Sequence, residues 1–126
     1  MHLSSADLEV LGSMLGVPLL RPGDSGWASA VLLWNGLIEK EPALVVQPTS
    51  AGEVSAVVRF AAANRLQIST KGGGHNIAGS AIADGGLMLD MSRMNAVTVD
   101  PVARLAQVGP GCLLQDVDRA TQEHGL

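Results

Sequence analysis

Apolar residues recur along the chain with two different periods, and the change from one to the other marks out its elements. Leu8, Leu11 and Leu15 fall at helical spacing behind Ser4 and Asp7, which are placed as the two ends of a capping box. The pattern predicts a helix over about 5–15 that Gly16 and Pro18 end. Residues 21–26 (RPGDSG) gather turn formers and read as an ordered loop ahead of Trp27 and the apolar residues 31–34. Ala43, Leu44, Val45 and Val46 make a short unbroken apolar run, stopped by Pro48, as expected of a strand buried on both faces. Ser50 and Glu53 repeat the capping-box spacing. Behind them Val54, Val57, Val58, Ala61 and Ala62 supply the stripe of an amphipathic helix ending near Asn64. Residues 66–70 (LQIST) read as the next strand, giving a strand, helix, strand unit with room for a right-handed parallel crossover.

Residues 71–86 are too rich in glycine for the interior of a helix or strand and must be loop or tight turn. Residues 87–91, 96–99 and 104–108 are strand candidates, the last two joined by Asp100, Pro101, Val102 and Ala103 as a hairpin turn. After Pro110 and Gly111 a terminal helix spans about 113–124. The expected fold class is therefore α+β: a small βαβ unit, a strand-rich segment and a terminal helix.

Composition narrows the function classes. A chain of 126 residues that is 47% hydrophobic is long and apolar enough for one compact domain with a real core. Charged residues are 16% of the total and the net charge is -4, which disfavours a binder of nucleic-acid phosphates. Trp27, Trp34 and Phe60 are the only aromatic residues, too few for a base-stacking platform. No apolar run approaches bilayer length and residues 1–20 do not read as a secretory signal, so the expectation is a soluble cytoplasmic protein with a small-molecule partner. Cys112 has no second cysteine to pair with and is expected to be a small buried residue. His2 and His124 lack partners at metal-ligand spacing.

The chemistry concentrates in Lys71-Gly72-Gly73-Gly74-His75-Asn76-Ile77-Ala78-Gly79, directly after a predicted strand. Successive glycines reach φ values closed to other residues, so consecutive N–H groups can point into one concavity and the backbone can approach an anion closely. Such a segment suits a pyrophosphate, with Lys71 adding positive charge at the edge and Asn76 offering both a donor and an acceptor. Two better-known phosphate motifs fail here. G-x-G-x-x-G would need glycine where Ile77 stands, and no Gly-Lys-Ser/Thr of a P-loop occurs.

The basic residue, then GGGHN-x-AG, then Asp84-Gly85-Gly86-Leu87-Met88-Leu89-Asp90-Met91-Ser92-Arg93-Met94, resembles the FAD-binding domain of berberine-bridge-enzyme-like FAD-linked oxidoreductases, of the p-cresol methylhydroxylase and vanillyl-alcohol oxidase type. Arg21-Pro22-Gly23-Asp24, Trp34-Asn35, the Pro42 to Pro48 strand and Val108-Gly109-Pro110-Gly111 before a helix containing Asp116-Val117 are similar in order and spacing. The resemblance covers residues 20–126 as a partial FAD-binding domain, with 1–19 as an N-terminal helix and lead-in. It implies that Gly72, Gly73, Gly74, His75 and Asn76 contact the flavin pyrophosphate and ribityl region, that Ala78 and Gly79 continue the loop, and that Pro48 sits near the adenine. It also implies that His75 is where relatives attach the flavin 8α-methyl, through a neutral imidazole nitrogen. Lys71 replaces the arginine common before this loop, keeping the charge but losing the bidentate fork. Asp90 and Asp116 read as capping or turn residues.

The resemblance implies hydride transfer from an alcohol, sugar or secondary metabolite to FAD and then to oxygen. No catalytic residue falls within the chain; in the family the base and substrate pocket lie beyond the position of Leu126. On the residues alone two alternatives stay open: an inactive remnant, or a nucleotide- or phosphate-binding module without redox chemistry.

Overall fold

A computed structural model describes residues 3–126. Helix α1 (Ser5–Ser13) opens the chain. It is followed by strand β1 (Leu19–Leu20), helix α2 (Trp27–Val31), strand β2 (Leu44–Val46), helix α3 (Ala51–Ala63) and strands β3 (Ile68–Lys71) and β4 (Leu87–Asp90). A 3₁₀ turn (Met91–Arg93), the hairpin strands β5 (Val97–Asp100) and β6 (Leu105–Val108), and helix α4 (Leu114–Gln122) complete it. The order of elements is the mixed α and β arrangement expected. Strand β1, helix α2 and the 3₁₀ turn had no counterpart in the sequence pattern, because each is too short to show a period.

Four strands form one sheet in the order β1-β2-β4-β3, with β1 antiparallel to β2 and both β2 and β3 parallel to β4. The strand, helix, strand unit therefore exists, but its two strands are not neighbours: β4 enters between them. Composition explains the placement. Every residue of β4 (LMLD) is buried, whereas β3 (ISTK) is mostly polar and exposed and takes the edge.

Alternation along the central strands feeds two cores. Leu44, Val46, Leu87 and Leu89 face Leu11, Val17, Val57, Phe60 and Met91 on the side of α1 and α3. Val45 and Met88 face Leu20, Trp27, Ala30, Leu33, Ala81 and Ile82 on the side of α2 and the glycine loop. Helix α1 thus packs in the same core as the residues that follow it.

The stripe on α3 differs from the one expected. Val57, Phe60 and Ala61 are buried and Val54 partly so, but Val58 is 45% exposed and Ala62 is also exposed. The helix is rotated to bury Phe60, whose apolar surface outweighs that of the smaller residues. Both N-terminal caps are present. Ser4 and Asp7 form the full reciprocal box, with Ser4 Oγ accepting from Asp7 N–H and Asp7 Oδ2 accepting from Ser4 N–H. Ser50 Oγ accepts from Glu53 N–H, but the Glu53 carboxylate turns to the Thr49 hydroxyl (2.7 Å), the Thr49 N–H and, 37 residues away in sequence, the Gly16 N–H (3.0 Å). It fastens the exit of α1 to the start of α3. These donors, led by the Thr49 hydroxyl and N–H, hold the Glu53 carboxyl below its ordinary value of 4.5 against a small opposing effect of burial.

The β5–β6 hairpin forms its own two-stranded sheet, with α4 packed on it. Asp100 Oδ1 accepts from the N–H groups of Val102 and Ala103 and closes the turn, and Arg104 takes up a φ of 57° to leave it.

Candidate cofactor-binding site

Strands β2, β4 and β3 run the same way, so the chain leaves all three at one edge of the sheet. Register places Lys71 opposite Asp90, and Val46 and Thr70 on either side of Leu89. The loop carrying His75, the 3₁₀ turn and the segment containing Pro48 therefore emerge together. In open α/β sheets ligands bind at this carboxyl edge.

The loop leaves β3 as an irregular ribbon with left-handed turns at Gly74 (φ +75°) and Gly79 (φ +72°). Among the described residues, none of the N–H groups of Gly73, Gly74, His75 and Asn76 donates a hydrogen bond to another group of the chain. Four successive donors without a partner in the described residues, in a loop where Gly73, His75 and Asn76 are exposed and Gly74 is buried, form an anion-binding surface. The ribbon is also closely overlaid: a Cβ on Gly72 would come within 3.0 Å of the Pro110 carbonyl oxygen. One on Gly73 would meet Leu113 and His75 at 3.1 and 3.2 Å. Thr70, Gly72, Gly74, His75, Asn76 and Ser80 line an open concavity of about 360 Å³. On its other side His75 shares a concavity of about 540 Å³ with Gly73, Cys112, Leu113, Leu114 and Gln115. A more enclosed apolar cavity of about 160 Å³, lined by Leu3, Leu8, Leu44, Leu66 and Leu87 with Arg21, lies at the opposite edge of the strands. It lacks a run of free backbone donors.

His75 is exposed and stacks on Trp34, with ring centroids 6.2 Å apart and planes inclined by 23°. Asn76 folds the loop back on itself: its carbonyl accepts from Gly79 N–H at 3.2 Å and its Oδ1 from Ser80 N–H at 3.3 Å. Ala78 is exposed, whereas Gly79 is buried beneath Ile38.

Three expectations need correction. Lys71 is not a charge at the rim of the concavity. It is the last residue of β3, 8% exposed, and its ammonium donates to the Ala30 carbonyl at the end of α2 (2.7 Å). That carbonyl has no helical partner, and a charged donor satisfies it well. Pro48 reaches the site edge but is fully buried, so its ring presents no surface to a ligand. Cys112 is only half-buried: it donates weakly to the Ala96 carbonyl (3.6 Å) and lines the concavity on the Leu113 side of His75. The capping assignments hold. Asp90 accepts from Ser92 N–H and from the Gln47 side-chain amide, and Asp116 from Leu113 N–H.

Trp34, Asn35 and Ile38 touch the loop without having been assigned a part in it. The Trp34-Asn35 pair stood out only as a similarity of spacing, and nothing local in the sequence links residue 35 to residue 77. His124 is exposed, His2 lies outside the described residues, and no group of metal ligands occurs among the described residues. No described helix is long and apolar enough to cross a membrane.

A run of free N–H groups at the carboxyl edge of three parallel strands, with glycines where the chain is overlaid, is the arrangement of a ligand-binding α/β domain. Comparison with known proteins gives the particular family: residues 42–126 match the FAD binding domain, and the chain belongs to that family. It is 35% identical over 122 residues to (R)-6-hydroxynicotine oxidase of Paenarthrobacter nicotinovorans, covering 92% of this chain and 27% of that protein. Among solved structures, BBE-like 1 of Physcomitrella patens superposes with a TM-score of 0.85 at 28% identity, covering 94% of this chain and 26% of that one. Xylooligosaccharide oxidase of Myceliophthora thermophila, solved with xylobiose, gives 0.84 at 28% identity, with 96% and 26% covered. The chain spans about a quarter of the length of the curated relatives it matches. It is the FAD-binding domain of FAD-linked oxidoreductases, a group that includes oxidases of varied substrates, and its cofactor is FAD.

Proposed function

We propose that this domain serves an FAD-dependent oxidoreductase that takes a hydride from an alcohol, sugar or secondary-metabolite substrate and passes the electrons on to oxygen. In this reading Gly72, Gly73, Gly74, His75 and Asn76 hold the pyrophosphate and ribityl region, with Ala78 and Gly79 closing the loop. The observation that carries it is the set of four consecutive N–H groups, from Gly73 to Asn76, left free at the carboxyl edge of the sheet. Free amides bind phosphate oxygens without the desolvation cost of a buried side-chain charge. Lys71 then acts from behind the loop, and Pro48 acts by ending β2 in the core rather than by touching the adenine.

A bound flavin supplies hydride acceptance, while the chain supplies binding, orientation and electrostatics. His75 is suited to a covalent link with the flavin: its imidazole is exposed, stacked on one indole face, and free of any hydrogen bond to the described residues that would occupy a ring nitrogen. Attachment needs that nitrogen neutral.

The reading is tested with the full-length protein. Anaerobic addition of substrates from a panel of primary alcohols, sugars and aromatic secondary metabolites should bleach the flavin absorbance with at least one class, and admitting oxygen should restore it. A flavin that no class bleaches, though dithionite does, would set the redox reading aside.

A further inference from the structure

The segment after α2 lies N-terminal to the residues that match the FAD binding domain family, yet it holds the His75 loop at successive points. Trp34 N–H donates to the Gly74 carbonyl at 3.0 Å. Asn35 Nδ2 donates to the Ile77 carbonyl at 2.9 Å, and the Ile38 side chain fills the space that a side chain at position 79 would take. Asn35 is itself fixed, because its Oδ1 accepts from Leu37 N–H at 3.1 Å, which decides which end of the amide faces the loop.

These anchors bear on the direction of the free donors. In a trans peptide the C=O and the following N–H point in opposite directions, and none of the peptide bonds among the described residues is cis. Holding the Gly74 carbonyl toward Trp34 therefore aims the His75 N–H away from it. Holding the Ile77 carbonyl toward Asn35 does the same for the Ala78 N–H, which, like those of residues 73–76, donates to no backbone group among the described residues. A glycine-rich loop without such anchors would have to be ordered by the cofactor, at the expense of affinity.

We propose that Asn35 is a positioning residue for the cofactor: with Trp34 it fixes the carbonyl side of the 74–77 loop, so that the opposing N–H groups and the His75 ring are set before FAD arrives. The proposal rests on the reading of this loop as the flavin cradle. Asn35 touches neither the reacting atoms nor, directly, any of the free donors. It acts through the Ile77 peptide.

The test uses full-length protein prepared without FAD, with hydrogen exchange read by mass spectrometry and FAD affinity read by flavin fluorescence in a His75→Ala background, where no covalent link can form and binding stays reversible. The amides of Gly79 and Ser80, both held by Asn76, report on the loop. Asn35→Ala removes the clamp. Asn35→Asp keeps the acceptor for Leu37 N–H but cannot donate to Ile77, and Asn35→Gln keeps both functions. The Ala and Asp variants should exchange about tenfold faster in the 72–80 peptide and bind FAD about tenfold more weakly, the size of one net hydrogen bond. Peptides from β2 and β4 should be unchanged, and Gln should recover part of both effects. Unchanged exchange at 72–80 overturns the proposal, and so does faster exchange with unchanged FAD affinity. Should Asn35→Ala loosen β2 and β4 as well, Asn35→Asp decides by the same two criteria. If the wild-type protein takes up no FAD, the cradle reading fails, and the proposed role of Asn35 fails with it; the exchange data then still show whether Asn35 orders the loop.

Discussion

Gly79 is the position at which the loop can be stressed with the smallest chemical change. Its φ of +72° lies in the left-handed region, and an added Cβ would stand 2.8, 2.9 and 3.0 Å from Cδ1, Cγ2 and Cγ1 of Ile38. Gly79→Ala therefore carries two separable costs. Forcing an L-residue into left-handed backbone costs about 1–2 kcal/mol. The overlap with Ile38 adds about 1–3 kcal/mol, because Cγ2 and Cγ1 sit on a β-branched carbon with little rotamer freedom to withdraw. The substitution should destabilise the protein by about 2–5 kcal/mol in all. In an Ile38→Ala background the obstructing carbons are gone and the same change should cost only the backbone part, about 1–2 kcal/mol. Equilibrium urea denaturation of the four proteins in the cycle, followed by far-ultraviolet circular dichroism, gives both figures. An equal cost in the two backgrounds, or a cost under about 0.5 kcal/mol in the parent, would refute the packing of Ile38 against the loop.

Other positions test the frame and the site separately. Gly111→Ala should abolish soluble folded protein, since its Cβ would run into the Met91 carbonyl oxygen, backbone that no side-chain rotation can move aside. Gly12→Ala, with nothing within 4 Å, should raise the melting temperature slightly through helix propensity worth about 0.5–1 kcal/mol. Lys71→Met should lower stability by about 1–3 kcal/mol by leaving the Ala30 carbonyl unpaired. Weaker FAD binding with unchanged stability would instead return Lys71 to the phosphate. Glu53 is held below 4.5 when folded, so its contribution is fully present above that pH and disappears as pH falls through the lowered folded value. Stability of the parent should accordingly drop on acidification below pH 4.5 by more than that of Glu53→Gln, and parallel pH profiles would contradict the cap.

Where the sequence was legible, one residue type dictated one local outcome. The Ser4–Asp7 box, the Asp100 turn and the run of buried β2 residues follow from short-range chemistry. The glycine-rich loop was legible for the same reason: only loop accommodates that composition. What stayed hidden depends on partners distant in the chain. Lys71 reads as a free cation until α2 folds over it and offers the Ala30 carbonyl. Phe60 draws α3 round toward the sheet, at the expense of Val58. That β4 would separate β2 from β3 is a competition between whole strands, decided by how apolar each is. Asn35 bridges to Ile77 across 42 residues, a separation over which periodicity carries no information.

The most direct test of the account is the flavin content of the full-length protein, measured as intact mass under native and then denaturing conditions for the parent and for His75→Ala. The account expects one FAD per chain in the native spectrum, an adduct that survives denaturation in the parent, and its loss in His75→Ala. An adduct that persists in His75→Ala would place the bond elsewhere. A parent protein that carries no FAD and takes up none when the cofactor is supplied in excess would contradict the central claim that this loop is a flavin cradle.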